Sequence, residues 1–136
     1  MADNSKRSIY ITERDMERLQ GLLNFARPSN KHDLKYFERL EEEVYRATIV
    51  KPENIPSNFV TINSKVQLRE INSDIEIIFT LVFPSEADLS EHKISILAPI
   101  GSAVIGWQAG NIIEWEAPGG MKRVKIEKVV NQPEAV

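Results

Sequence analysis

An α+β fold is predicted for this chain: an N-terminal antiparallel helical hairpin (a short coiled coil), then a small, mostly antiparallel sheet domain with one short helix. Three observations predict it. Apolar residues recur at helical spacing as far as Thr48 and at every second position beyond Val60. Pro52 and Pro56 separate the two regimes, and each Pro also disfavours helix in the residue before it. Further on, Ile94-Ser-Ile-Leu-Ala-Pro-Ile-Gly-Ser-Ala-Val-Ile-Gly106 stops an alternating strand at Pro99 and opens a short helix that Gly106 closes.

Residues 1–8 and 132–136 have the composition of mobile tails. Thr12 to Ala26 reads as a helix with Thr12 at its N-cap. Met16, Leu19, Leu23 and Ala26 form one stripe, which Leu22 widens. Arg27-Pro28-Ser29-Asn30 breaks the pattern. Asp33 to Thr48 restores it, with Asp33 as N-cap and Leu34, Phe37, Leu40, Val44 and Ala47 on one face. Helices joined by so short a break pack antiparallel, so residues 9–50 are the hairpin, 51–58 a linker and 59–131 the sheet domain. In that domain Val66 and Leu68 alternate with Gln67 and Arg69, Asn72-Ser73-Asp74 turns the chain, and Ile75, Ile77, Phe79 and Leu81 alternate again. Ile78 and Val82 make this second strand apolar on both faces, which predicts a central position partly covered by the short helix. Pro84 to His92 is a polar loop. Lys93 to Leu97, Asn111 to Glu116 and Met121 to Val130 complete about five strands, with a tight turn at Pro118-Gly119.

Composition narrows the function. The 136 residues carry a net charge of −3, against the basic face or tail of a dedicated nucleic-acid binder. No cysteine is present, so there is neither a disulfide framework nor a thiolate metal site. Met1 to Ser8 lacks the apolar core of a signal peptide, and no apolar run approaches the roughly 20 residues of a membrane helix. A cytoplasmic protein without membrane contact or cofactor is expected. Catalytic chemistry is poorly supplied too. His32 and His92 lie in different parts of the chain in polar, loop-like settings and read as ordinary exposed imidazoles. No nucleophile motif or phosphate-cradling loop occurs, so no catalytic residue is assigned and the protein is not expected to be an enzyme. Trp115 reads as core or sheet surface, and Trp107 as packing over the end of the short helix or as a partly exposed anchor.

Asn63-Ser64-Lys65-Val66, Ile96-Leu97-Ala98-Pro99-Ile100-Gly101, Gly110-Asn111 and Pro118-Gly119-Gly120 stand in an order and spacing similar to the C-terminal domain of the GreA/GreB transcript-cleavage factors. Pro52-Glu53-Asn54-Ile55-Pro56 followed by Val60-Thr61-Ile62-Asn63-Ser64 resembles the Rnk branch of that family, the regulators of nucleoside diphosphate kinase. The resemblance implies a C-terminal fold like that of the FK506-binding proteins, without their isomerase activity. It also implies RNA polymerase as partner. Docking would be at the coiled coil on the rim of the secondary channel, a feature of the largest catalytic subunit, through Leu97, Ala98, Pro99, Ile100 and Gly101. Ile100 and Leu97 could instead fill the core beneath the short helix.

In the cleavage factors, acidic residues at the hairpin tip help to hold a magnesium ion, which wants hard oxygen ligands. The tip here offers Asn30, Lys31 and Asp33, one carboxylate among cations, and no metal site is expected. About 15 helical residues span only ~22 Å, shorter than a cleavage-factor hairpin. The resemblance therefore implies a non-catalytic polymerase-binding regulator of elongation without sequence-specific nucleic-acid contacts. The alternatives are a regulator of nucleoside diphosphate kinase acting by another route and an active cleavage factor. Self-association through the hairpin is left open.

Overall fold

The computed structural model describes residues 7–117 and 119–131. The expected tails at 1–6 and 132–136, and Pro118 of the expected turn, lie outside the described residues. Strand β1 (Tyr10–Ile11) leads into helix α1 (Glu13–Phe25), and helix α2 (Lys31–Tyr45) leads out into strand β2 (Thr48–Ile49). Thr12 caps α1, accepting from the Asp15 N–H, and Met16, Leu19 and Leu23 of the predicted stripe are buried. The second cap differs from the prediction. Asn30, not Asp33, opens α2: its Oδ1 accepts from the Asp33 N–H at 2.8 Å while its Nδ2 donates to the Asp33 carboxylate at 3.0 Å. An amide can both accept and donate, so the Asn30 side chain makes both bonds to Asp33, which an ionised carboxylate could not.

The two-residue strands pair in parallel, Tyr10 with Thr48 and Ile11 with Ile49, which brings the start of α1 beside the end of α2. The short Ala26–Asn30 connection joins their other ends, so the helices run antiparallel. This parallel pair was not legible in the sequence, because strands of two residues show no period.

The second sheet contains β3 (Ser64–Glu70), β4 (Glu76–Val82), β5 (Lys93–Ser95), β6 (Ile112–Ala117) and β7 (Gly120–Asn131), in the order β5-β4-β3-β7-β6. Only the β4–β5 pair is parallel. Helix α3 (Pro99–Val104) lies on the inner face with Pro99 in its first turn, and Gly106 follows it at φ +87°. Val66, Leu68, Phe79, Leu81, Val124 and Ile126 point inward, while Lys65, Gln67, Arg69, Glu76, Ile78 and Glu127 alternate to the outer face. Ile78 thus differs from the expectation. It lies on the outer face, away from α3, and β4 stands second from the edge rather than at the centre.

One hydrophobic core serves both parts of the chain, joining Ile9, Ile11, Leu19 and Leu40 to Val66, Phe79, Ile105 and Ile126. Arg7 and Ser8, expected in the tail, are tied into it. The Arg7 guanidinium donates to the Ile105 carbonyl at 2.8 Å and to the Ser102 carbonyl, and the Ser8 N–H donates to the Gly106 carbonyl at 2.8 Å. On the far side, the Thr61 hydroxyl donates to the Tyr10 carbonyl at 2.6 Å, and the Arg18 guanidinium stacks 4.0 Å from the Phe83 ring centre. Among the described residues no helix is long and apolar enough to cross a membrane.

Two residues of the motif regions have backbone reasons. A side chain at Gly101 would drive into the Ser95 carbonyl oxygen and approach Leu81 Cδ1 to 3.1 Å, so α3 can cross the end of β5 only on glycine. Asn63 sits at φ +73°, a left-handed position that Asn tolerates, and its N–H donates to the Leu81 carbonyl at 2.7 Å. Gly101→Ala is expected to destabilise by about 1–3 kcal/mol or more, because its methyl meets backbone rather than a movable side chain. Arg7→Ala is expected to cost about 1–3 kcal/mol, since two carbonyls lose a charged donor. Urea unfolding measures both, and a Gly101→Ala protein as stable as the parent would refute the close approach.

Candidate docking site

The segment Leu97-Ala98-Pro99 forms the outer corner of the sheet. Strand β5 ends at Ser95, whose hydroxyl accepts from the Leu97 N–H at 3.0 Å and whose carbonyl accepts from the Ala98 N–H at 3.0 Å. These two bonds turn the chain without glycine. Ala98 is extended at φ −67°, ψ 150° and starts α3 with no side-chain cap, so Pro99 can take the first helical position at no cost in hydrogen bonds. Of the five residues assigned to docking, Ile100 (7% exposed) and Gly101 belong to the interior. Their place is fixed by the helical period, which turns Ile100 and Val104 toward the sheet. Leu97 and Ala98 are half-buried and Pro99 is exposed, so these three supply the surface.

The structure brings the hairpin tip to this corner. A cavity of about 150 Å³ lies between them, lined by Pro28, Asp33, Tyr36 and Phe37 from the hairpin and by Leu97 and Pro99 from the corner. Asp33 therefore lines this cavity, whereas Asn30 acts as the cap of α2 and Lys31 faces a separate groove beside Leu34 and Lys35.

Glu116 of β6 fastens the tip in place. One carboxylate oxygen accepts from the Tyr36 hydroxyl and the other meets His32 Nε2 at 3.0 Å, while His32 Nδ1 meets Asp33 at 3.2 Å. His32 is exposed, as its setting in the sequence implied, but it is not idle. None of this was visible in the sequence beyond the i, i+4 spacing of His32 and Tyr36, because Glu116 lies 80 residues from Tyr36. The Glu116 bond, helped by that to Asp33, raises the His32 pKa above its ordinary value. The Tyr36 and His32 bonds hold Glu116 below the usual carboxylate range, and Asn30 followed by His32 does the same for Asp33.

The donor set does not fit a magnesium ion. Both oxygens of Asp33 and both of Glu116 are already engaged, and Lys31, Lys35 and Arg27 stand in or beside the same tip. Among the described residues, no group of three or more His, Asp or Glu is placed to hold a metal. Arg27 in addition pairs with Glu38 at 2.7 Å and Glu41 at 3.0 Å, drawing the acidic side chains of α2 toward the connection. Trp107 and Trp115 pack against the core, and Trp115 Nε1 is buried with no acceptor among the described residues.

The fastening has a defined pH window. His32 contributes while it is charged, fully below an unfolded pKa of about 6.5, and that contribution fades as pH rises through the raised folded value. Glu116 contributes above the ordinary carboxylate pKa and loses its part as pH falls through its depressed value. An NMR titration is expected to place His32 above the ordinary imidazole value and to return it downward in Glu116→Gln. An unchanged His32 titration in that variant would disprove the contact.

Comparison with known proteins places this geometry. Residues 55–131 match the family described as "Transcription elongation factor, GreA/GreB, C-term", and residues 7–50 match the "Rnk N-terminus". The regulator of nucleoside diphosphate kinase of Escherichia coli (strain K12) is 34% identical over 132 residues, 96% of this chain and 95% of that protein. The transcription elongation factor GreA of Acetivibrio thermocellus is 32% identical over 124 residues, 83% of this chain and 78% of that one. A solved prokaryotic transcription elongation factor GreA/GreB from Nitrosomonas europaea is 44% identical, with a TM-score of 0.75 over 92% of this chain and 99% of that chain. Thermus aquaticus Gfh1, at 17% identity and a TM-score of 0.52 over 93% of this chain and 100% of that chain, shares the fold. A Gre-type sheet domain joined to an Rnk-type hairpin accounts for all of the described chain but residues 51–54, and the chain belongs to the GreA/GreB family of transcription elongation factors, with the N-terminal part of its Rnk members.

Proposed function

We propose that the protein is a non-catalytic RNA polymerase-binding regulator of elongation, working in the cytoplasm and docking near the secondary-channel entrance through Leu97, Ala98 and Pro99. The observation that carries the reading is the composite corner, an apolar edge held rigid by Ser95 and flanked by the hairpin tip. A partner helix could seat one apolar side chain in the cavity between Leu97 and Tyr36. Ile100 and Gly101 support that corner from inside.

Transcript cleavage is left out of the proposal for two physical reasons. The Asp33 and Glu116 carboxylates already accept hydrogen bonds from Asn30, His32 and Tyr36, and the neighbouring charges of Arg27, Lys31 and Lys35 disfavour a bound cation. The helices of 13 and 15 residues reach only about 20 Å, and their tip rests on the sheet domain rather than projecting from it.

Binding to immobilised RNA polymerase tests the reading. Leu97→Asp is expected to weaken binding about tenfold or more, since a charge replaces a half-buried apolar anchor. A thermal melt shows that the variant is folded. Ile100→Asp would strike the core and serves as the unfolding control. Undiminished binding by folded Leu97→Asp moves the interface elsewhere. Magnesium-dependent shortening of the transcript in a backtracked complex would instead support a cleavage factor. Recovery of nucleoside diphosphate kinase without polymerase subunits would support the other regulatory route.

A further inference from the structure

The outer edge of β4 is only half used. Strand β5 covers it at Thr80, Leu81 and Val82 and then ends, because His92 turns the chain away at φ +57°. The direction of each backbone group along β4 follows from bonds already made. The Thr80 N–H donates to the His92 carbonyl and the Val82 carbonyl accepts from the Ile96 N–H, so even-numbered residues face the β5 side. The Ile75 carbonyl accepts from Glu70 and the Leu81 carbonyl from Asn63, so odd-numbered residues face β3. Glu76 and Ile78 therefore turn their N–H and C=O groups outward, where no strand among the described residues meets them. A groove of about 630 Å³ runs along this stretch, floored by Ile77, Ile78 and Phe79 and closed at one end by Glu91 and His92.

Folded proteins usually protect such an edge with a charge, a proline or a bulge. Ile75-Glu-Ile-Ile-Phe-Thr-Leu81 has none of these except Glu76, and the outer face withdraws that charge. Its carboxylate is held by Arg69 at 3.1 Å and Gln67 at 2.9 Å. Ile75 is 55% exposed and Ile78 is 40% exposed. The stretch itself is β-branched and apolar apart from the paired Glu76, the composition that pairs with another strand, while Lys65 and Glu91 stand at the margin of the groove.

We propose that this edge is a homodimerisation surface, in which β4 of a second copy adds antiparallel to β4 about a two-fold axis at Ile77. The register is set by the free groups. Centred on Ile77, Glu76 of each copy opposes Ile78 of the other, and the pair exchanges both backbone bonds. Four bonds form in total, they use the free groups of Glu76 and Ile78 in both copies, and they leave Thr80 to β5. Glu76 faces an isoleucine rather than its own copy, so no like charges stand opposite. The alternative centre on Ile78 would set Glu76 against Thr80, whose N–H is already bonded to His92. Such a two-fold contact closes on itself and does not propagate into a fibre. The surface lies on β4, apart from the corner at Leu97 to Pro99.

Sedimentation of the full chain from dilute to millimolar concentration, with amide exchange at Glu76 and Ile78, tests this. The expected result is a reversible monomer–dimer equilibrium with those two amides protected in the dimer. Ile78→Pro removes only an edge donor and spares the β3 ladder. It should weaken the dimer by about thirtyfold, for the two bonds lost across the axis. The chain has no cysteine, so Ile77→Cys supplies one thiol per copy. A non-hydrogen-bonded antiparallel pair sets the two Cα atoms about 4.5 Å apart, within disulfide reach, so oxidation should give a covalent dimer. Ile112→Cys, on β6 at the other end of the sheet order, should not cross-link. A monomer at every concentration, a dimer unaffected by folded Ile78→Pro, or cross-linking through Ile112→Cys but not Ile77→Cys overturns the proposal.

Discussion

The first described segment, Arg7 to Ile11, runs through the seam between hairpin and sheet, and the remaining arrangement hangs on it. Ile9 and Ile11 are fully buried there, each removing apolar surface worth about 1.5–3 kcal/mol. Hydrogen bonds fasten the segment on both flanks: Arg7 and Ser8 to the carbonyls that end α3, Tyr10 to Thr61, and β1 to β2. A segment held by its side chains and by both backbone edges cannot slide. The hairpin is consequently packed on the sheet rather than carried on a free linker.

That packing sets the geometry of the corner at Leu97 to Pro99. With the base of the hairpin fixed, its tip arrives beside Leu97 and Pro99, and Glu116 comes within reach of His32 and Tyr36. The His32 contact is exposed and that of Tyr36 half-buried, so solvent screening keeps them individually weak. They orient a tip that the buried seam has already delivered. A cation there would have to compete with the His32 and Tyr36 hydrogen bonds for the Glu116 oxygens.

The two surfaces proposed for binding illustrate opposite treatments of backbone. At the corner, Ser95 satisfies the N–H of Leu97 and the N–H of Ala98, so the turn itself leaves no open strand edge there. Along β4 the backbone groups of Glu76 and Ile78 are left open, which suits pairing with another strand. A side-chain seat and a strand edge recognise different things, and the protein keeps them at different places on the sheet.

The sequence by itself determined the two hairpin helices, the change of period at the paired prolines, the five strands of the larger sheet and the Pro-to-Gly limits of α3, because these are local properties of spacing and backbone preference. It also pointed to the family, whose motif residues prove to be largely grammar of the fold: Gly101 allows α3 to cross Ser95, and Asn63 accepts a left-handed turn. The tertiary structure alone decided which of Leu97 to Gly101 face outward, that the hairpin tip joins them, that Asn30 rather than Asp33 caps α2, and that β5 stops short of Ile78. Each of these depends on where distant segments meet. The Glu116 to Tyr36 contact, like the burial of Ile9, follows from the packing of a common core, and no window along the chain contains both partners.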